Sequence, residues 1–205
     1  MSGEFWDKVA AKYAKRPVKD QSAYEKTLDR VRAHLKPDDQ VLEIGCGTGT
    51  TALILAEEVA HYSASDISAA MIEIANKKKT DKGAENVNFL KAEIPDPRFK
   101  REGHDAVLAF NLLHLLEDPA AAISHARELI KPGGLFMSKT VCLDQKGFGL
   151  RLMITVMRLL GRAPYVNFMS IDTLEGLFRD AGFEILETGD YPKSPPSHFI
   201  VAKKI

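Results

Sequence analysis

The stretch Val41-Leu42-Glu43-Ile44-Gly45-Cys46-Gly47-Thr48-Gly49-Thr50 ends one element and begins another. Val41 to Ile44 is a short apolar run of the kind that makes a strand buried on both faces, and Thr51 to Val59 carries helix formers in a helical apolar pattern. Glycines at 45, 47 and 49 occupy the joint. Glycine there permits positive φ and lets a ligand approach the backbone without meeting a Cβ, while the helix that follows offers unpaired N–H groups. The joint reads as a nucleotide-like binding loop.

The dinucleotide fingerprint needs Gly-x-Gly-x-x-Gly or Ala, and here the third small position is taken by Thr50. The glycines alternate instead, behind Glu43. Outward from the loop, His61 to Asp66 has the composition of a second strand, and Ser68 can cap a helix carrying Met71, Ile72, Ile74 and Ala75. Asp66 follows Gly45 by 21 residues, the separation at which an acid at the tip of the second strand of a βαβ unit meets ribose hydroxyls.

Glu-Ile-Gly-Cys-Gly-Thr-Gly at 43–49 resembles the first motif of the class I S-adenosylmethionine-dependent methyltransferases, and Ser65-Asp66-Ile67-Ser68 with Met71 resembles their second. The resemblance implies S-adenosylmethionine as cofactor. It implies contacts from Glu43, Gly45, Cys46, Gly47 and Gly49, and from Asp66, Ile67 and Met71, with Asp66 holding the ribose hydroxyls. An acid at the end of the third strand accepts from the adenine amino group in that family; Glu93-Ile94 occupies the place, with Glu where Asp is usual. Tyr13 matches the family's N-terminal Tyr that closes over the cofactor, and Phe110 and Asn111 end the fourth strand at the same edge.

Before the loop, Phe5, Trp6, Val9 and Tyr13 recur at helical spacing up to Pro17. Ser22 to Glu25 has the form of a capping box ahead of a Tyr24, Leu28, Val31, Leu35 stripe. Beyond Asp66, Asn86 to Leu90 predicts a third strand, and Asp105 to Phe110 a fourth that is almost wholly apolar. Asp118-Pro119 starts a helix, and Ile130-Lys131-Pro132-Gly133-Gly134 ends it before a strand over Leu135 to Val141. Ser170 caps a last helix that stops at Gly182; strands Phe183 to Leu186 and Phe199 to Ala202 follow, joined by a polar connection over 187–198. That connection is too short for a parallel crossover, so the pair is antiparallel.

The expected fold is therefore α/β: a three-layer, Rossmann-like methyltransferase fold whose seven-stranded sheet has its last strand antiparallel. One domain spans 1–205, with an N-terminal helical cap (1–38), a cofactor-binding core (39–141), an apolar helical lid (142–170) and a terminal helix-and-strand unit (171–205). Segment 150–160 leaves only Arg151, Thr155 and Arg158 polar, an apolar arc wider than one packing face requires. Such a helix is buried on two sides, roofs an apolar substrate cavity, or touches a membrane surface. An insertion after the fifth strand emerges at the same edge as the glycine loop, Asp66 and Asn111, which favours a wall of the substrate pocket, with Met153 and Met157 as adaptable lining.

Lys plus Arg and Asp plus Glu balance at 28 each, which gives no electrostatic ground for a nucleic-acid partner. Cys46 and Cys142 form no metal-ligand spacing and no disulfide framework, so a reducing, cytoplasmic setting without a metal is expected. No apolar run reaches the roughly 20 residues of a membrane span, so no stable membrane insertion is expected. The expected reaction is methyl transfer to a small, hydrophobic acceptor by a monomer. His114 is the best-placed general base, with Arg158, Lys139 and Asp144 behind it. A non-catalytic S-adenosylmethionine-binding protein and an NAD(P)-dependent oxidoreductase are the alternatives.

Overall fold

Val41 to Ile44 carries apolar side chains toward both faces, which places it in the middle of a sheet covered on both sides, and the computed structural model, describing residues 3–144 and 148–205, has it there. Strands β1 (Gln40–Ile44), β2 (His61–Asp66), β3 (Val87–Lys91), β4 (His104–Phe110), β5 (Ile130–Val141), β6 (Phe183–Lys193) and β7 (Pro196–Lys204) form one seven-stranded sheet in the order β3-β2-β1-β4-β5-β7-β6. The first five are parallel, and β7 runs antiparallel between β5 and β6. The order reverses beside β1, which leaves a crevice at the carboxyl ends of β1 and β4.

The strand alternation sorts side chains into two cores. Val41, Ala106, Leu108, Met137, Phe199 and Val201 face one way, and Leu42, Val107, Phe136, Ile200 and Ala202 the other. Helices α2 (Gln21–Arg32), α3 (Thr50–Leu55) and α4 (Ala69–Lys82) cover the first face; α5 (Pro119–Leu129) and α7 (Ile171–Asp180) cover the second. On the second face Phe136 stacks on Phe178 with ring centroids 5.1 Å apart. Helix α1 (Gly3–Ala14) packs on α4, where Asp7 Oδ1 accepts from Ser68 Oγ (2.6 Å) and Ala70 N (3.0 Å). Helix α6 (Phe148–Leu159) follows β5.

Caps at Ser68, Asp118 and Ser170 form as their residue types predict, each accepting from the backbone N–H three residues on. Other boundaries move. Helix α2 is capped by Asp20, which accepts from Ala23 N, rather than by Ser22, so the helix begins two residues earlier than the capping-box pattern suggests. The helix after the glycine loop stays α-helical only to Leu55 and tightens to a 3₁₀ turn over Ala56–Glu58. The connection over 187–198 is mostly strand, with β6 and β7 running on to Lys193 and from Pro196. β6 is the edge strand, so alternate polar side chains face water, and its proline needs no ladder partner on the open side.

Candidate active site

At the crevice beside β1, four strand ends and helix α1 enclose a cavity of about 190 Å³. Gly45 and Gly47 line it from the loop after β1, Asp66, Ile67 and Met71 from the end of β2 and the start of α4, and Glu93 and Ile94 from the end of β3. Phe110 and Asn111 enter from β4, and Tyr13 from α1. These ten residues, scattered over 99 positions of sequence, are brought together because every parallel strand delivers its carboxyl end to the same edge.

The Asp66 carboxylate organises this edge. Its Oδ2 accepts from Gly47 N at 2.9 Å and its Oδ1 from Ser68 N at 2.9 Å, so one side chain ties the glycine loop to the start of α4. Burial pushes the Asp66 carboxyl above the ordinary value, against the hydrogen bonds from Ser68 and Gly47, which pull it down. Gly47 has φ +53, and a Cβ built on it would find only Tyr13 Cε1 within 4 Å, at 3.9 Å. The loop backbone is therefore open toward the cavity, and the gap is one that only glycine leaves. Asn111 holds φ +55, a conformation asparagine tolerates, while its N–H donates to Lys139 O at 2.7 Å.

Three of the expected contacts are elsewhere. Glu43 is 2% exposed and does not line the cavity; its Oε2 accepts from Tyr62 Oη at 2.9 Å behind the loop. Cys46 is buried beside it. Gly49 faces the core: a Cβ there would lie 2.6 Å from Phe89 Cζ and 2.8 Å from Ala75 Cβ, so this glycine serves helix packing rather than a ligand. Conversely, Trp6, Ala92, Leu112, Leu115 and Leu116 line the cavity and were not singled out as site residues. Trp6 reads in the sequence only as part of the apolar stripe of the first helix, and residues 112–116 give no periodic signal because they form a 3₁₀ turn, Leu113–Leu115, with its flanks.

The chain matches the methyltransferase domain family over residues 16–188. The chain belongs to that family, the class I S-adenosylmethionine-dependent methyltransferases. It is 30% identical over 156 residues to a ubiquinone biosynthesis O-methyltransferase of Xylella fastidiosa, covering 71% of this chain and 61% of that one. It is 34% identical over 120 residues to the highly reducing polyketide synthase PKS2 of Leptosphaeria maculans, where the match takes in 52% of this chain and 5% of the synthase. A solved Thermotoga maritima S-adenosylmethionine-dependent methyltransferase shares the fold over 100% of both chains, with a TM-score of 0.72 at 22% identity. The family settles the cofactor as S-adenosylmethionine and sets the oxidoreductase alternative aside.

The residues present fit that cofactor. The open backbone at Gly47, the acid at the tip of β2 and the carboxylate of Glu93 at the tip of β3 give a methyltransferase the bare loop and two acceptors that a nucleoside needs. The proposed base does not reach it. His114 is absent from the cavity lining although Leu112, Leu115 and Leu116 around it are present, and its Nδ1 is buried without a hydrogen-bond partner. Burial pulls the imidazole down to about 4, so it stays neutral at neutral pH and is a weak base. Lys139 donates to Thr27 Oγ1 at 2.9 Å, and Asp144 pairs with Arg151 at 2.8 Å; neither lines the cavity. Among the described lining residues the ionisable side chains are Tyr13, Asp66 and Glu93.

Helix α6 does not line the cavity, so the expected apolar wall over 150–160 is not formed by this surface. Burial on two sides fails as well: no residue of Gly149 to Leu159 is buried. Residues 1–2 of the cap span and 145–147 of the lid span lie outside the described residues. No described helix is long and apolar enough to cross a membrane.

Glu43 gives the methyltransferase a pH-dependent stability. Burial raises its carboxyl from 4.5 to about 7, opposed by the Tyr62 hydrogen bond and reinforced by the Asp66 charge. A raised carboxyl means the fold prefers the protonated form. The stabilisation is complete below the unfolded value and is lost as pH rises through about 7. Glu43→Gln keeps an acceptor for Tyr62 and removes the charge, so its advantage over the parent should grow by about 3 kcal/mol between about pH 4 and about pH 8. Denaturant unfolding of both proteins at the two pH values checks this; an advantage that does not change with pH would contradict it.

Proposed function

We propose that this chain transfers the methyl group of S-adenosylmethionine to a small, hydrophobic acceptor bound in the same cavity. The observation that carries the proposal is the lining itself: the turn after β4 supplies Leu112, Leu115 and Leu116, and α1 supplies Trp6, beside the polar edge made by Gly47, Asp66 and Glu93. A cavity with one polar edge and a large apolar share suits a nucleoside cofactor together with an apolar partner. The O-methyltransferase relative is named for ubiquinone biosynthesis, which is consistent with an acceptor of this kind.

Bound S-adenosylmethionine supplies an electrophilic sulfonium methyl. In our reading the chain's own residues then have three tasks. Asp66 and the Gly45 to Gly47 backbone fix the nucleoside, with Glu93 and Ile94 at the base and Phe110 and Asn111 at the floor. Tyr13 and Trp6, carried by α1, narrow the opening and keep water out. The leucine turn orients the acceptor so that its nucleophilic atom is in line with the methyl, which is where most of the acceleration of a displacement arises. With no ionisable group besides Tyr13, Asp66 and Glu93 among the described lining residues, an acceptor that loses its proton readily, such as a phenol or an enol, fits better than one that needs a strong base. We place no nucleic acid among its partners and take the monomer as the working unit.

The test is turnover. Purified protein, S-adenosylmethionine and a panel of phenols and enols with and without apolar tails should give S-adenosylhomocysteine release that rises with the tail. Release with none of the panel, alongside tight cofactor binding, would favour a binding protein without transfer. Release only with polar acceptors would refute the hydrophobic reading.

A further inference from the structure

The outer face of α6 is covered by nothing in the described chain. Leu152 is 53% exposed, Met153 51%, Val156 46%, Leu159 82% and, just past the helix, Leu160 63%. At about 100° per residue these five fall within one arc of about 120°. Leu150, Ile154 and Met157, on the opposite arc, are the half-buried ones, and Arg151, Thr155 and Arg158 form a stripe between the two. The exposed arc therefore presents large apolar side chains to water from residue 152 to the end of the helix, which single scattered surface leucines do not do.

The segment that carries this face is basic in sequence. From residue 145 to residue 171 the sequence holds no Asp or Glu but has Lys146, Arg151, Arg158 and Arg162, in a chain whose charges otherwise balance. Lys146 lies outside the described residues. Two carboxylates approach from flanking segments: Asp144 pairs with Arg151 at 2.8 Å and Glu117 reaches Arg158 at 3.6 Å, both at least half exposed. Arg162 has no ion pair among the described residues. The Arg151 and Arg158 guanidinium groups also lie 5.0 and 4.9 Å from the ring centroids of Phe168 and Tyr165. The edge of the apolar arc thus carries two arginines set on aromatic rings, each sharing its charge with an exposed carboxylate, and Arg162 follows without an ion pair among the described residues.

We propose that α6 is an interfacial helix that docks this methyltransferase on the surface of a bilayer containing anionic phospholipid, its apolar arc sunk among the acyl chains and its arginines at the phosphates. An amphipathic helix with an apolar face and basic flanks binds such a surface by area and charge together. A second copy of the chain suits the face less well. A helix of 12 residues is about 18 Å long, and its one face falls well short of the roughly 800 Å² per partner of a stable interface, while a two-fold contact would bring like charges together.

The docked helix would stand beside the cavity. Arg158 contacts Glu117 just past the leucine turn, and Asn167 N donates to His114 O at 2.7 Å inside it, so the α6 segment is tied to the same turn that lines the site. An acceptor dissolved in the lipid could then reach the cavity without crossing water. That use rests on the hydrophobic-acceptor reading; the docking itself does not.

Flotation of the full chain with vesicles decides it, using phosphatidylcholine alone and phosphatidylcholine with about a quarter phosphatidylglycerol. The protein should float with the anionic vesicles and not with the neutral ones, and added salt should release it. The double variant Leu152→Gln, Leu159→Gln should lose at least about tenfold in bound fraction. Its affinity for S-adenosylhomocysteine and its melting temperature should match the parent's. Failure of the parent to float, equal flotation with neutral vesicles, equal flotation of the variant, or a dimer in sedimentation that the variant dissolves would each overturn the proposal. The vesicles contain no acceptor, so this outcome is independent of whether the turnover panel succeeds.

Discussion

Asp66→Ala is expected to weaken S-adenosylhomocysteine binding at least about tenfold while the fold stays intact. The carboxylate lines the cavity and accepts from Gly47 N and Ser68 N, each at 2.9 Å, so it holds the loop in place and still has lone pairs for ribose hydroxyls. Each charge-assisted bond to the ligand is worth about 1.5–3 kcal/mol, and losing the tie to Gly47 loosens the loop besides. Asp66→Asn keeps one acceptor oxygen and should lose less. Because burial holds this carboxyl above its ordinary value, cofactor affinity that depends on its charge should begin to fall, as pH is lowered, earlier than an exposed aspartate would predict. Calorimetric titration of parent and variants measures all of this. Unchanged affinity at unchanged melting temperature would reduce Asp66 to a turn residue.

Gly47→Val is expected to be harsher on binding, by at least about a hundredfold, with a modest cost in stability. The position has φ +53, where a β-branched side chain is strained by about 1–2 kcal/mol, but the added Cβ would meet nothing closer than Tyr13 Cε1 at 3.9 Å. The new atoms project into the cavity, where the nucleoside should lie. Gly49→Val makes the informative contrast, because its Cβ would collide with Phe89 and Ala75 and should lower the melting temperature far more than it changes binding by the folded fraction. Melting curves with titrations on both variants check the pair. Gly47→Val binding as the parent does would place the ligand elsewhere.

That contrast shows what the sequence does and does not reveal. Three alternating glycines look equivalent in a string, and the resemblance assigned all of them to the cofactor. Only the packing of α3 against α4 and β3 separates Gly49, which the core needs, from Gly47, which the cavity needs. The place of Glu43 is hidden for the same reason: position in a motif does not tell which side of a strand end the side chain takes, and Tyr62, the partner that holds it, is 19 residues away. The sheet was legible because buried parallel strands are short apolar runs between turn signals, and because the span between the last two is too short for a crossover. Asp66, Glu93 and Asn111 stand out because Asp66 ends such a run and the other two follow one within two residues. The leucine turn at 112–116 was not, since an irregular turn has no period to detect.

Helix α6 is the other instructive case. Its composition departs from what one packing face needs, and that much is visible in the sequence. Which of the three consequences follows depends on where the chain leaves β5, and in the structure the surplus apolar arc neither enters the core nor lines the cavity.

The central claim is that the loop at Gly45 to Gly47, with Asp66, forms a site for S-adenosylmethionine, and calorimetric titration of the parent protein with S-adenosylhomocysteine and, separately, with NAD tests it most directly. The account predicts saturable, one-to-one binding of S-adenosylhomocysteine at micromolar concentration or below and no detectable heat with NAD. Micromolar binding of NAD with none of S-adenosylhomocysteine would contradict it.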